Sequence, residues 1–182
     1  APEVAALTNI GLDHTAVLGS TVEAIATTKS GIIKPGCDAV LYPAPPSVEQ
    51  VVAARCRRTG VPLTVADFHA LRPVSHSLDG QVFDWPGLPG LRLPLLGRHQ
   101  LHNAAVTLTI IETLRRRGWH IPDDAIRAGL AAVEWPGRFQ VVRRAPIVVL
   151  DGGHNPQCME ALTQNVADYL SGHPLTVLTG VL

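Results

Sequence analysis

The chain has 182 residues, 46% of them apolar, with fifteen acidic and fifteen basic side chains. That length admits one large domain, or one domain with part of another, and supports a packed core. Zero net charge argues against a nucleic-acid partner, the spacing of Cys37, Cys56 and Cys158 against a zinc knuckle or disulfide framework, and the lack of a long apolar run against a membrane span.

The first residues carry no signal-peptide pattern, so the cytoplasm is the expected compartment. Glu3 to Ile10 reads as a buried strand running into Gly11-Leu12-Asp13-His14. Ser20 and Glu23 have capping-box spacing and open a helix from Thr21 to about Ser30, stopped by Gly31. Asp38 to Tyr42 is a short strand. Ser47 and Gln50 repeat the capping box ahead of a helix to Thr59, which ends at Gly60. Leu63 to Ala66 is a further strand. Strands alternating with helices predict an α/β fold, a mostly parallel sheet with helices on both faces.

Val74 to Leu95 breaks that rhythm. Asp79-Gly80 is a hairpin signal between Val74–Leu78 and Gln81–Trp85, and Leu91–Leu95 adds a third strand to a small antiparallel appendage. After Gly97, Leu101, Ala104, Ala105, Leu108, Ile111 and Leu114 form one helical stripe. Arg115-Arg116-Arg117 falls at its end and complements the helix dipole. Pro122 opens a helix to about Val133. A fresh βαβ unit is expected from Trp135 onward: a strand at Ile147–Leu150, a helix at Pro156–Leu170 and a strand at Leu175–Thr179. The expected boundary therefore separates residues 1–134 from a Rossmann-like domain beginning at 135–182 and cut short there.

Three groups carry candidate chemistry. Asp151-Gly152-Gly153-His154-Asn155-Pro156 follows a strand and opens a helix, where ligands of open α/β sheets bind. There Asp151 can accept from ribose and His154 can meet a base. The plainer reading is a tight turn with Asn155 as N-cap and Pro156 at the first helical position. Lys29 and Lys34 are the only lysines among fifteen basic residues, and Lys29 follows the Asp13-His14 pair. A lysine in a low-dielectric site can take up carbon dioxide as a carbamate and supply oxygens to magnesium. His14 and Lys29 are thus a candidate metal pair, against a solvated helix lysine and a satisfied histidine. Third, His99-Gln100-Leu101-His102-Asn103 crowds the start of the strong helix, where Asn103 can present an amide edge to adenine or polar residues can simply cap. Arg138 lies near the expected hinge and can clamp phosphates or bridge two domains.

In this order the motifs TNIGLDHTAVLGSTVEAIATTKSGIIKPG from Thr8, LLGRHQLHNAAV from Leu95, WPGRFQ from Trp135 and DGGHNP from Asp151 resemble the Mur ligase superfamily. The resemblance is to its folylpolyglutamate synthase and dihydrofolate synthase branch. It implies an ATP-dependent ligase that activates a folate or dihydropteroate carboxylate as an acyl phosphate and joins it to L-glutamate. It further implies a monomer with two Mg2+ sites, the second held by His14 and a carbamylated Lys29, both with catalytic roles. Asn103 would read adenine, Arg138 would contact phosphates, and Asp151 and His154 would line the cleft. The family's G-x-x-x-x-G-K-[ST] phosphate loop is missing, since no lysine here follows glycine. An internal fragment of a longer chain, inactive by itself, is therefore expected. Alternatives are a Mur ligase acting on a peptidoglycan precursor and a non-catalytic nucleotide-binding module. A carbamate-bridged metal hydrolase would carry an H-x-H pair, which is absent.

Overall fold

The computed structural model describes residues 2–11 and 20–180. The chain divides into two compact units, Ala1–Leu71 with His102–Pro122, and Arg72–Leu101 with Asp123–Leu182.

The first unit is built on a parallel sheet of β1 (Val4–Leu7), β2 (Asp38–Leu41) and β3 (Leu63–Val65), in that order. Val4 pairs with Asp38, Leu7 with Leu41, and Ala39 with Leu63. Helices α1 (Val22–Lys29) and α2 (Pro46–Thr59) make the crossovers. Side chains alternate across a strand, so Ala39 and Leu41 join Leu7, Ile25, Ile33, Val48 and Val52 in one core. Val40 faces the other way and meets Ala66 and Val106, the last from α3 (Arg98–Arg116). Both sheet faces are covered, as alternation of strands and helices requires.

The helix signals hold, with shifted caps. Thr21, not Ser20, caps α1, its hydroxyl accepting from the Ala24 N–H at 3.2 Å. α2 begins with Pro46 in its first turn and no side-chain cap, which places Ser47 inside the helix instead of ahead of it. Proline supplies the preset φ that the capping box would otherwise have supported. The arginine run does more than complement a dipole. Arg115 donates to the Ile121 carbonyl and Arg116 to Thr113 Oγ1 at 2.8 Å. Arg117 reaches Glu3 Oε2 at 2.7 Å, Asp38 Oδ2 at 3.3 Å and the Gly36 carbonyl at 3.1 Å, tying the helix end to the starts of β1 and β2.

In the second unit β4 (Arg72–Ser77), β5 (Gly80–Trp85) and β6 (Leu88–Leu93) form the expected antiparallel appendage. Gln81, Phe83 and Trp85 alternate inward on β5. Leu91 and Leu93 do so on β6, which packs against α4 (Asp123–Ala131). The expected βαβ unit is different. β7 (Gln140–Arg144) pairs antiparallel with β8 (Ile147–Leu150), and α5 (Pro156–Tyr169) follows. No strand forms over Leu175–Thr179, where Leu175, Val177 and Leu178 are exposed. A strand needs a ladder partner for its backbone groups, and none of the described residues supplies one.

Gly60 ends α2 at φ 65° with open space around its missing Cβ. Gly60→Ala should therefore destabilise by roughly 1–2 kcal/mol through the left-handed backbone alone. Gly129, inside α4 and equally unobstructed, should instead gain about 0.5–1 kcal/mol on Gly129→Ala. Denaturant midpoints moving in opposite directions would bear this out; a shared direction would contradict it.

Candidate functional site

In the second unit, β8 ends at Leu150 and Asp151-Gly152-Gly153-His154 leads into α5. Asn155 caps that helix, its side-chain oxygen accepting from the Cys158 N–H at 2.9 Å, with Pro156 in the first turn. Both carboxylate oxygens of Asp151 accept from backbone. Oδ1 takes the Gly153 N–H at 2.7 Å and Oδ2 the Phe139 N–H at 2.8 Å. The Gly152 N–H donates to the Gly137 carbonyl at 2.8 Å, and the Gly137 N–H to Gln140 Oε1 at 2.9 Å. A Cβ on Gly153 would lie 2.8 Å from Asp151 Oδ1 and 3.1 Å from Cys158 Cβ, so a side chain there would press on the carboxylate that accepts from this turn.

These bonds bring Asp151 and His154 to the segment that carries Arg138. Arg138 is exposed, and among the described residues its guanidinium makes no hydrogen bond or ion pair. His154 is exposed too, with Nδ1 3.4 Å from the Gly152 carbonyl. Phe139 is the one described non-glycine residue with positive φ, at 43°. Such a backbone costs on the order of 1–2 kcal/mol in a residue with a Cβ. Offsetting it, the ring is 2% exposed and packs at 5.7 Å from the Tyr169 ring.

Tyr169 also holds the turn before α3. Its hydroxyl accepts from the Gly97 N–H at 3.1 Å, and burial pushes its own pKa up. Gln81 Nε2 donates to the carbonyls of Leu95 at 2.7 Å and Gly97 at 3.0 Å. Gly97 has φ 103°, and a Cβ there would meet the Asn165 amide at 2.3 Å. Only glycine fits this approach. The Arg98 Nε–Asp168 Oδ2 pair, at 3.2 Å, adds a further tie.

In the first unit, Asn103 lies exposed in the second turn of α3. Its neighbour His102 stacks on Phe68 with centroids 4.2 Å apart and planes 6° from parallel. His102 Nδ1 is 3.2 Å from Tyr42 Oη, and Tyr42 meets Phe68 edge-on at 4.7 Å. Tyr42 follows β2 and Phe68 follows β3, so the cluster stands at carboxyl ends of parallel strands, where ligands of such sheets bind. Burial pushes the His102 pKa down and the Tyr42 pKa up. Lys29 is exposed at the last position of α1. Asp13 and His14 lie outside the described residues, and among those described no cluster of three or more His, Cys, Asp or Glu side chains can hold a metal.

The polar residues of these turns stand out in the sequence, while their supports do not. Nothing in periodicity marks Gln81 or Tyr169 as anchors of the Gly97 turn. Phe139 and Gln140 sit inside the WPGRFQ motif but look like ordinary neighbours of Arg138. The aromatic partners of His102 are distant in sequence.

The comparisons fit these motifs. No family model matches the chain. The folylpolyglutamate synthase of Lacticaseibacillus casei is 35% identical over 188 residues, covering 100% of this chain and 44% of the relative. The dihydrofolate synthase/folylpolyglutamate synthase of Bacillus subtilis is 32% identical with the same coverages, 100% and 44%. A solved folylpolyglutamate synthase–AMPPCP–folate complex superposes with a TM-score of 0.85 at 31% identity, over 96% of this chain and 44% of that one. Over its whole length the chain is similar to folylpolyglutamate synthases and dihydrofolate synthases, and it spans less than half the length of these relatives.

The lowered His102 pKa has a measurable sign. Its ordinary value is 6.5, and burial favours the neutral ring in the fold. The unfolded chain therefore binds more protons as pH drops through 6.5, and stability falls until the lower folded value is passed. His102→Gln should narrow the difference in Tm between pH values about 1.5 units above and below the ordinary value. An unchanged difference would mean that His102 contributes no linkage.

Proposed function

We propose that this chain is part of an ATP-dependent carboxylate–amine ligase that adds L-glutamate to folate, with dihydropteroate as a second acceptor class. One observation carries the reading. An exposed arginine, whose guanidinium has no partner among the described residues, stands on a turn bonded to the glycine turn after β8, beside a helix N-terminus. A planar guanidinium beside the positive end of a helix dipole suits the oxygens of a polyphosphate. The match to a relative solved with AMPPCP and folate supports the same substrates.

In this mechanism a folate carboxylate oxygen attacks the γ-phosphorus of ATP, and ADP leaves. The glutamate amine then attacks the acyl carbon of the resulting acyl phosphate, the C–O bond to phosphate breaks, and the amine proton passes to solvent. Arg138 contacts phosphate oxygens, the Asn103 amide reads adenine, and the turn that carries Asp151 and His154 lines the nucleotide and glutamate side. Positioning and charge neutralisation dominate such transfers. The domain division proposed for the whole enzyme falls near Trp135, and the compartment is the cytoplasm, with the protein a monomer.

Magnesium belongs to this reading, with His14 and a carbamylated Lys29 as ligands to a second ion. The described donors alone do not make such a site. Lys29 is exposed, and among the described residues no cluster of three or more His, Cys, Asp or Glu side chains can hold a metal; an unmodified lysine offers no hard oxygen to magnesium. The carbamate is testable without turnover: full-length protein equilibrated with 13C-bicarbonate should show a carbamate carbon resonance that Lys29→Arg abolishes. A spectrum identical in the variant would remove Lys29 from the ligand set.

Activity provides the direct test. The full-length protein carrying this chain should form ADP only when ATP, glutamate and a folate or pteroate acceptor are all present. UDP-linked muramyl acceptors should give none. Arg138→Ala should cut kcat/KM for ATP by roughly tenfold to a hundredfold, the value of a charge-assisted hydrogen bond. The 182-residue chain alone should form no ADP. Turnover with the muramyl acceptor in place of folate would overturn the assignment.

A further inference from the structure

Resting on the reading of Arg138 as a phosphate contact, we infer that Asp151 and Gln140 are positioning residues that fix Arg138 by pinning the backbone on both sides of it.

Arg138 is preceded by Gly137 and followed by Phe139, and each neighbour is held by a bond of its own. The Gly137 N–H donates to Gln140 Oε1 at 2.9 Å, and the Gly137 carbonyl accepts from the Gly152 N–H at 2.8 Å. The Phe139 N–H donates to Asp151 Oδ2 at 2.8 Å. Between these fixed points only the Arg138 side chain is left to solvent. Phe139 holds a left-handed backbone that an L-residue disfavours. That conformation persists only where the surroundings over-determine it. Here they are the Asp151 carboxylate on its N–H and the Tyr169 ring against its side chain. An arginine with four rotatable side-chain bonds reaches a ligand reproducibly only if its backbone is fixed, and this segment spends its hydrogen bonds on fixing it.

The chemistry explains why position 151 is an aspartate. Its two oxygens accept two backbone N–H groups from two different turns, at 2.7 and 2.8 Å. An asparagine has one acceptor oxygen, and its amide nitrogen would confront one of those N–H donors. Gln140 needs only one acceptor, and its side chain is exposed, so its removal disturbs Gly137 with little else.

A double-mutant cycle in the full-length protein, read by AMPPCP binding, separates positioning from direct contact. Asp151→Asn and Gln140→Ala should each weaken AMPPCP by about tenfold in the parent, and by little or nothing once Arg138→Ala is present. An Asp151→Asn effect of the same size in both backgrounds would overturn the inference, as would an unweakened Asp151→Asn. That is the behaviour of a carboxylate that bonds the nucleotide independently. Melting curves recorded alongside show which variants fold, and if Asp151→Asn does not, Gln140→Ala decides by the same criterion. If Arg138→Ala itself binds AMPPCP as the parent does, the phosphate reading fails and the positioning role falls with it. That result differs from additivity, in which Arg138 matters and Asp151 acts alone.

Discussion

Two turns in the second unit, Gly137–Phe139 and Asp151–Gly153, are joined because one carboxylate satisfies two backbone donors, the N–H groups of Phe139 and Gly153. The placement of the candidate site residues in that unit depends on this. It sets the left-handed Phe139, brings Gly152 within 2.8 Å of the Gly137 carbonyl, and leaves Arg138 exposed between bonded neighbours. An acceptor with two oxygens is the simplest group able to do it.

Similar economy governs the turn before α3. Gly97 offers one N–H and one carbonyl, and Tyr169 and Gln81 take them from α5 and β5. The packing leaves no room for a Cβ, because the Asn165 amide already fills that space. The appendage of β4 to β6, which shows no chemistry in its sequence, is thus a structural support: Gln81 on its central strand fixes the turn from which α3 starts. In the first unit, His102 is held at the carboxyl ends of β2 and β3 by Phe68 and Tyr42.

Much of this was legible in the sequence because it is local. Alternating strands and helices identified the covered parallel sheet, Asp79-Gly80 the hairpin, and Gly60 the end of α2. Asn155 and Pro156 gave the start of α5. What was not legible carries no periodic signal. Pairing of Gln140–Arg144 with Ile147–Leu150, the very next strand, replaced the expected βαβ start, since two arginines in the first strand hide its alternation. The arginine run looked like one dipole cap, yet each residue serves a different acceptor. The polar residues Arg138, Asp151 and His154 could be named from motifs, while their mutual support lay in backbone donors that carry no sequence signature. His14 lies outside the described residues.

In the proposed reaction a folate carboxylate is activated by phosphoryl transfer before glutamate attacks. The most direct test uses the full-length protein with a folate whose reacting carboxylate carries 18O, followed by mass analysis of the phosphate released. An acyl phosphate leaves one carboxylate oxygen on phosphorus, so the account predicts labelled phosphate in step with glutamylated product. Product formed with unlabelled phosphate would contradict it.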